Sequence, residues 1–368
     1  MTRQIGQATS LDDLVDVLAS AGLLQPPLGM GYEEQQEEDE QQQQQEASAR
    51  GGLPRPASSS SLDAIHVAAA VSALARHAPQ IPKRSRSPPP AASSSPLARA
   101  AAAVAAAARA RQRNIAATTL ELVAARAPRM QARQLSSSLH AIARLGPWLA
   151  SLPPLTTATT ALAGAATPPS SPLSARHRAI FVDLVRRAGD PERLAEFTPQ
   201  GLVTVLWSCA RLGYRPDDGW VGAWLAASRR RRGDFNSQDL SLAAWALGRL
   251  GIKPSGGWAE AFARASEPRL ETMRPGELAA LAGGFAAMRR PPPAEWWRAA
   301  TRASRAHLLN SSSSLGAPQM LGHELATLLW AMAVARAPPP DAGWARDFEA
   351  AVLAAVPALS PRFYRARR

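Results

Sequence analysis

The chain has 368 residues and a formal net charge of +13, from 42 Lys and Arg against 29 Asp and Glu. This basic balance favours a polyanionic partner, although a GC-rich coding sequence that inflates the arginine content would produce the same excess. The single cysteine, Cys209, excludes an internal disulfide framework, and no apolar run is long enough to span a membrane.

The first sixty residues divide into an N-terminal helix and a low-complexity segment. Residues 1–24 predict an amphipathic helix that Ser10 can cap. Asp12, Asp13 and Asp16 lie inside this helix, and because transit peptides are poor in acids, the sequence shows no clear one. Residues 25–61 combine acids, a glutamine run and a serine run, so we expect them to be disordered.

The next segments alternate helices with polar stretches. Residues 62–77 predict a short helix, and residues 78–96 a linker rich in Pro, Ser and Arg. Residues 97–146 predict a helical repeat unit whose second helix ends at a cap, Gly146. Residues 147–175 are full of Pro, Ser, Thr and Ala, and we expect a disordered insertion there.

Residues 176–368 carry an internal repeat. A step of 38 residues separates the successive members of two tryptophan series: Trp207 and Trp245, then Trp220, Trp258 and Trp296. A period of this size is typical of supersecondary units that stack in a row. The sequence therefore predicts an all-α fold, an α-solenoid of stacked helical hairpins interrupted by disordered low-complexity loops.

Each repeat predicts a pair of helices. The first helix follows a proline, and Asp217 can cap one such start. The second opens at a cap followed by proline, as at Thr198 and Pro199, and ends at a glycine such as Gly213. Because the second helix is apolar nearly all round, we expect neighbouring helices to enclose it. Seven tryptophans are predicted as structural anchors of the repeats: Trp207, Trp220, Trp245, Trp258, Trp296, Trp330 and Trp344.

The later copies depart from the period. Gly283 occupies the position that tryptophan takes in the first two copies, and we expect Phe285 or Trp297 to fill the space. Trp330 follows Gly283 after 47 residues, because the polar insertion 310–319 lengthens the third unit.

The last repeat is predicted to be truncated. Leu359-Ser360-Pro361 repeats the pattern Phe197-Thr198-Pro199, which opens a second helix. Arg368 follows too soon for such a helix to be completed, so we expect the solenoid to be cut short here.

The repeat resembles that of the octotricopeptide repeat (OPR) proteins. The resemblance rests on Phe197-Thr198-Pro199-Gln200, on Leu206-Trp207 with Ala210-Arg211-Leu212-Gly213, and on the corresponding residues around Trp245 and Trp330. It covers about half of the chain strongly, and it extends to the related FAST-kinase-like leucine-rich and RAP-domain proteins. It implies an RNA-binding α-solenoid that acts on organellar transcripts, in the chloroplast or the mitochondrial matrix. We expect no C-terminal RAP domain within these 368 residues.

No pattern of catalytic or metal-binding residues stands out. The six histidines lack the spacing of a zinc site, and neither a phosphate-binding glycine loop nor a Gly-x-Ser-x-Gly elbow is present. Cys209 lies in an apolar helix, which favours a buried, inert thiol over a nucleophile. We therefore expect no enzyme activity, no cofactor and no metal.

Basic residues on the first helices are the candidate RNA contacts. Apolar anchors stay constant from repeat to repeat while an exposed face of the first helix varies, as expected of a modular reader of successive bases. A solvated helix face would show the same variation. The candidates are Arg229, Arg230, Arg264, Arg298, Arg302, Arg305 and Arg346. A second possible path lies near the ends of the second helices: Arg211, Arg249 and Lys253.

Two functional classes remain open. The first is a sequence-selective binder of single-stranded RNA in organellar RNA processing, stability or translation, working with other RNA-processing proteins. The second is a helical-repeat scaffold for proteins that does not bind RNA. RNA binding predicts a steep salt dependence, which a scaffold need not show.

Overall fold

The computed structural model describes residues 64–77, 114–151, 175–308, 320–337 and 339–355. All regular structure in these ranges is helical and none of it is strand, which confirms the all-α prediction. The predicted N-terminal helix, the segments 25–61 and 78–96, and the insertion 310–319 lie outside the described residues, as does most of the insertion 147–175.

The chain divides into two compact units, residues 1–184 and 185–368. The first unit contains helix α1 (Ala64–His77), helix α2 over residues 114–126, a 3₁₀ turn (Ala127–Arg129), helix α3 (Ala132–Ser151) and most of helix α4 (Ala175–Ala188). Helix α1 packs against α3, and buried side chains such as Leu74, Leu120 and Leu139 supply the core.

Helix α3 corrects the predicted helix end at Gly146. The helix continues through Gly146 and Pro147 to Ser151, into the segment for which disorder was expected. A glycine cap requires a left-handed backbone, and the described glycines with positive φ are Gly213 and Gly251. Pro147 fixes a φ that a helix accepts, so the chain can pass through it at the loss of one backbone hydrogen bond.

The second unit is a stack of helical hairpins. After the end of α4 and a short helix α5 (Pro191–Glu196), first and second helices alternate. The second helices are α6 (Pro199–Leu212), α8 (Ser237–Arg249), α10 (Pro275–Met288) and α12 (Gly322–Ala335). The first helices are α7 (Asp218–Arg231), α9 (Gly256–Ser266), α11 (Ala294–Leu308) and α13 (Ala342–Ala355), with 3₁₀ turns at Arg232–Asp234 and Glu267–Thr272.

Each kind of helix forms its own row. The second helices pack side by side in the order α6, α8, α10, α12. The first helices follow in the order α7, α9, α11, α13, with the 3₁₀ turn Glu267–Thr272 packed between α9 and α11. Two rows of helices in sequence order are the arrangement of an α-solenoid.

The helix starts carry the predicted caps. The carboxylate of Asp217 accepts the N–H of Trp220 at 2.8 Å, and the Thr198 hydroxyl accepts the N–H of Gly201 at 3.1 Å. Asn236 and Asp239 form a reciprocal capping box at the start of α8. These contacts satisfy backbone donors that a helix start leaves free.

Small residues bring α8 and α10 into backbone contact. A side chain at Gly284 would meet the carbonyl carbon of Ala244 at 2.4 Å, and one at Gly248 would meet the Ala287 methyl at 2.7 Å. Ala244 precedes Gly248 on α8, and their partners Gly284 and Ala287 follow in the same order on α10, so the two second helices are parallel. Their C-terminal ends therefore lie at the same edge of the row.

A ladder of indole–serine hydrogen bonds joins successive first helices. The indole Nε1 of Trp258 donates to Ser228 at 3.2 Å, Trp296 to Ser266 at 2.9 Å and Trp344 to Ser304 at 3.1 Å. Each serine hydroxyl donates in turn to the carbonyl three residues before it. All six residues are buried.

Trp220 is the fourth buried first-helix anchor. Its Nε1 donates to the carbonyl of Val185 at 2.8 Å, and its ring lies directly over Gly189, where any side chain would collide with it.

The second-helix tryptophans are less enclosed than predicted. Trp207 and Trp245 are half-buried, and Trp330, the third tryptophan of this row predicted as an anchor, is 40% exposed. The reason follows from Gly283, the equivalent residue of α10: a side chain there would meet Thr327 of the next second helix at 2.7 Å. This position faces the following second helix, and no second helix follows α12 in the described chain.

Thr327 also fills the space beside Gly283. The space that an indole would need there is taken by α12, which approaches through the Thr327 methyl. Phe285 and Trp297 are buried elsewhere: both rings pack edge-on against Trp296, with ring centroids 5.5 and 5.2 Å from it.

Candidate nucleic-acid interface

The seven arginines proposed for RNA contact all lie on the row of first helices. Six of them are exposed to solvent, and the seventh, Arg305, is partly exposed. They are distributed over all four first helices: Arg229 and Arg230 on α7, Arg264 on α9, Arg298, Arg302 and Arg305 on α11, and Arg346 on α13.

Two of these arginines are held by acidic side chains. Arg298 pairs with Glu295 at 2.7 Å on its own helix. Arg305 reaches across to the next hairpin, where it pairs with Asp347 at 3.1 Å and Asp341 at 3.4 Å. Their charge is partly neutralised, which makes both poorer partners for an anion than the sequence suggested.

Other arginines of this face keep their charge exposed. Arg264, Arg302 and Arg346 form no ion pair with any acid of the described ranges. Glu260 is exposed on α9, the helix that carries Arg264, and Glu267 is exposed at the start of the 3₁₀ turn that follows, so the first-helix face has mixed charge.

A second basic surface follows the C-terminal ends of the second helices. Each hairpin places an exposed arginine at one of two positions of this helix end, and we call these four the edge arginines: Arg211, Arg249, Arg289 and Arg336. Arg290, next to Arg289, is also exposed, and its side chain donates to the carbonyl of Pro254 at 2.8 Å. None of the four pairs with an acidic side chain within the described part of the chain. Lys253 is exposed beside this edge, while Arg215 is paired with Asp218 at 2.8 Å.

The helix ends at this edge share one capping geometry. In α6 the left-handed Gly213 donates its N–H to Ala210, and Tyr214 donates to Cys209. The same pair of bonds closes α8, α10 and α12. The residue at the left-handed position is Gly213, Gly251, Arg289 and Arg336 in turn, with φ of 68°, 66°, 54° and 54°.

Sequence reasoning found half of this edge. Arg211 and Arg249 were recognised as an alternative path, whereas Arg289 and Arg336 were not. The available signal was their register, because Arg289 stands 38 residues after Gly251 and Arg336 stands 47 after Arg289, the spacing of the repeat itself.

The buried titratable groups are structural. Burial raises the pKa of the Cys209 thiol far above its usual range, which leaves it protonated and unreactive at neutral pH. Within the described ranges, no group of three or more His, Cys, Asp or Glu residues is placed to hold a metal ion. No described helix has the length and apolar character needed to cross a membrane.

The fold and the surface together define an all-α helical-repeat protein that exposes arginines along both rows. Residues 148–321 match the family model described as the Tbc2 translation factor, N-terminal domain. The match covers just under half of the chain and includes the hairpins from α6 to α11. A comparison with curated proteins gave no match.

Proposed function

We propose that the protein binds single-stranded RNA and acts in organellar gene expression, at the level of translation, stability or processing of a transcript. The observation that carries the proposal is the match of its hairpin repeats to a domain of a translation factor. The OPR-like sequence pattern supports the same function and the proposed location in a chloroplast or mitochondrion.

The chemistry of the surface supports RNA as the partner. Arginine pairs with phosphate through its planar fork and stacks on unpaired bases, so a row of arginines suits a single strand. The net charge of +13 adds long-range attraction to a polyanion. The proposal assigns no reaction to the protein, because binding alone can stabilise or activate a transcript.

Filter retention of a random single-stranded RNA pool at several salt concentrations tests the proposal. We expect the full chain to retain RNA with an affinity that falls steeply as salt rises. The triple variant R264Q/R302Q/R346Q removes three arginines that lack acidic partners, and the double variant R298Q/R305Q removes two paired ones. If the RNA crosses the first-helix face, the triple variant should flatten the slope of log affinity against log salt by about 2.

A protein scaffold is the second candidate, and one observation favours it. Leu329, Trp330 and Val334 are exposed together on α12, and exposed apolar side chains of this size suit a protein partner. Absence of RNA retention by the wild-type chain would refute the RNA proposal, and a protein partner whose binding heparin does not weaken would then support the scaffold.

A further inference from the structure

We infer that the edge arginines bind the phosphate groups of the RNA, and that Arg289 and Arg336 keep a strained backbone for this purpose. The RNA path would then follow the C-terminal ends of the second helices, not the first-helix face. This inference rests on the proposed function and adds to it a specific site.

The first observation is the backbone of the two residues. A left-handed conformation suits glycine, because a Cβ atom crowds the following carbonyl oxygen. Gly213 and Gly251 occupy this position in the first two hairpins, yet Arg289 and Arg336 occupy it in the next two at φ 54°. The capping hydrogen bonds are the same in all four, so the turn itself does not require arginine.

The second observation is that the arginine occupies one of two nearby positions, either the left-handed residue itself or the residue two places before it. Where the left-handed residue is glycine, the residue two places earlier is arginine, as in Arg211 and Arg249. Where the left-handed residue is arginine, the earlier residue is Ala287 or Val334. Each hairpin therefore presents one arginine from this pair of positions, and the strained conformation occurs only in hairpins that lack the earlier one.

The third observation is the common placement of the four charges. The second helices lie side by side, and the contacts of Gly248 with Ala287, and of Gly276 with Glu324, make α8, α10 and α12 parallel. Arg249, Arg289 and Arg336, at the C-terminal ends of these three helices, thus share one edge, and Arg211 holds the same position on α6, the neighbour of α8 in the row. All are exposed, and no acid of the described ranges pairs with them.

A favourable interaction with the helix dipole does not account for this pattern. An arginine in the last turn gains that interaction without strain, so the first two hairpins need no further explanation. In the third and fourth hairpins, glycine at the cap would relieve the strain, and arginine is present instead. A row of unpaired cations is complementary to a phosphodiester backbone.

The test compares the double variant R289G/R336G with wild type in RNA retention and in thermal unfolding. We expect the slope of log affinity against log salt to flatten by about 1.4, since each lost phosphate contact on a single strand removes about 0.7. We also expect the melting temperature to rise, because glycine relieves the left-handed backbone. A purely structural role for the arginines would make the variant melt earlier.

A rescue variant sharpens the comparison. V334R/R336G moves the fourth arginine to the exposed position that Arg211 and Arg249 hold in the first hairpins. Its salt slope should equal that of wild type, whereas R336G alone should lose about 0.7. The inference is wrong if wild type binds RNA and R289G/R336G keeps the wild-type slope, or if its melting temperature falls. If wild type binds no RNA at all, the proposed function fails and the inference fails with it.

Discussion

Single residues set the spacing of the hairpins through the buried indole–serine bonds. The tryptophan contributes the apolar area and the serine satisfies its one polar atom, so the two residues act as a pair. Trp297 shows the contrast: it is buried beside Trp296, but its Nε1 has no hydrogen-bond partner among the residues that the structure describes.

Removal of one ladder serine should be costly. In S266A the Nε1 of Trp296 would stay buried without an acceptor, so we expect a loss of about 1–3 kcal/mol in the free energy of unfolding. S241A is the matched control, because Ser241 is also buried and donates within its own helix, but accepts no indole. Urea unfolding measures both variants, and equal losses would show that the indole bond has no special role.

Substitution of arginine by glycine should have opposite effects on stability at Arg289 and at Arg302. R289G relieves a left-handed backbone and should raise the free energy of unfolding by about 1 kcal/mol. R302G places glycine in the interior of α11 on an exposed face and should lower it by about 1 kcal/mol. Thermal unfolding of the two variants checks the signs, and a destabilised R289G would contradict the assigned strain.

Asp239 predicts a specific pH dependence. Its burial raises the pKa of the carboxyl above the usual value, and the hydrogen bond from the Asn236 N–H offsets this only in part. The folded protein therefore binds the proton more tightly than the unfolded chain, so the stability contribution of Asp239 grows as the pH falls through the raised pKa. It levels off below the usual value of 3.8.

D239N is the reference for that measurement, since its amide oxygen can still accept the backbone N–H. As the pH falls from neutral to about 4, the melting temperature of wild type should rise relative to that of D239N. A difference that stays constant over this range would mean that burial does not perturb the carboxyl.

At the scale of helices, the two rows differ in how deeply their tryptophans are buried. Trp296 of the first-helix row is fully enclosed, and W296A should cost roughly 3–5 kcal/mol. Trp245 of the second-helix row is half-buried, so W245A should cost about 2 kcal/mol. Chemical unfolding of both variants tests this ranking, which the sequence pattern does not give, since it marks both tryptophans as anchors.

Local signals explain what the sequence could predict of these elements. The caps at Asp217 and Thr198 act within a few residues, so the sequence pattern specifies them. The ion pair between Arg305 and Asp347 spans 42 residues, and the exposure of Trp330 depends on whether a neighbouring helix covers it. Such features depend on the packing of one hairpin against the next, and the repeat period of the sequence does not specify that packing.

At the scale of the whole molecule, the second unit should lose structure repeat by repeat. Each hairpin contacts its neighbours in the stack, so damage at the end should stay local. W344A should reduce hydrogen-exchange protection mainly in residues 320–355, whereas W258A should reduce it in the hairpins on both sides of α9. Equal loss of protection throughout residues 185–355 in both variants would indicate a single cooperative unit.

The indole–serine ladder bears on how such a chain could have grown. Its first two rungs join residues 30 positions apart and the third joins residues 40 apart, yet the bond is the same. The indole–serine bond therefore does not depend on the number of residues between its two partners. Duplication of a segment that runs from one ladder serine to the next would supply a donor and an acceptor at each new junction, so the array could lengthen by recombination without a new interface.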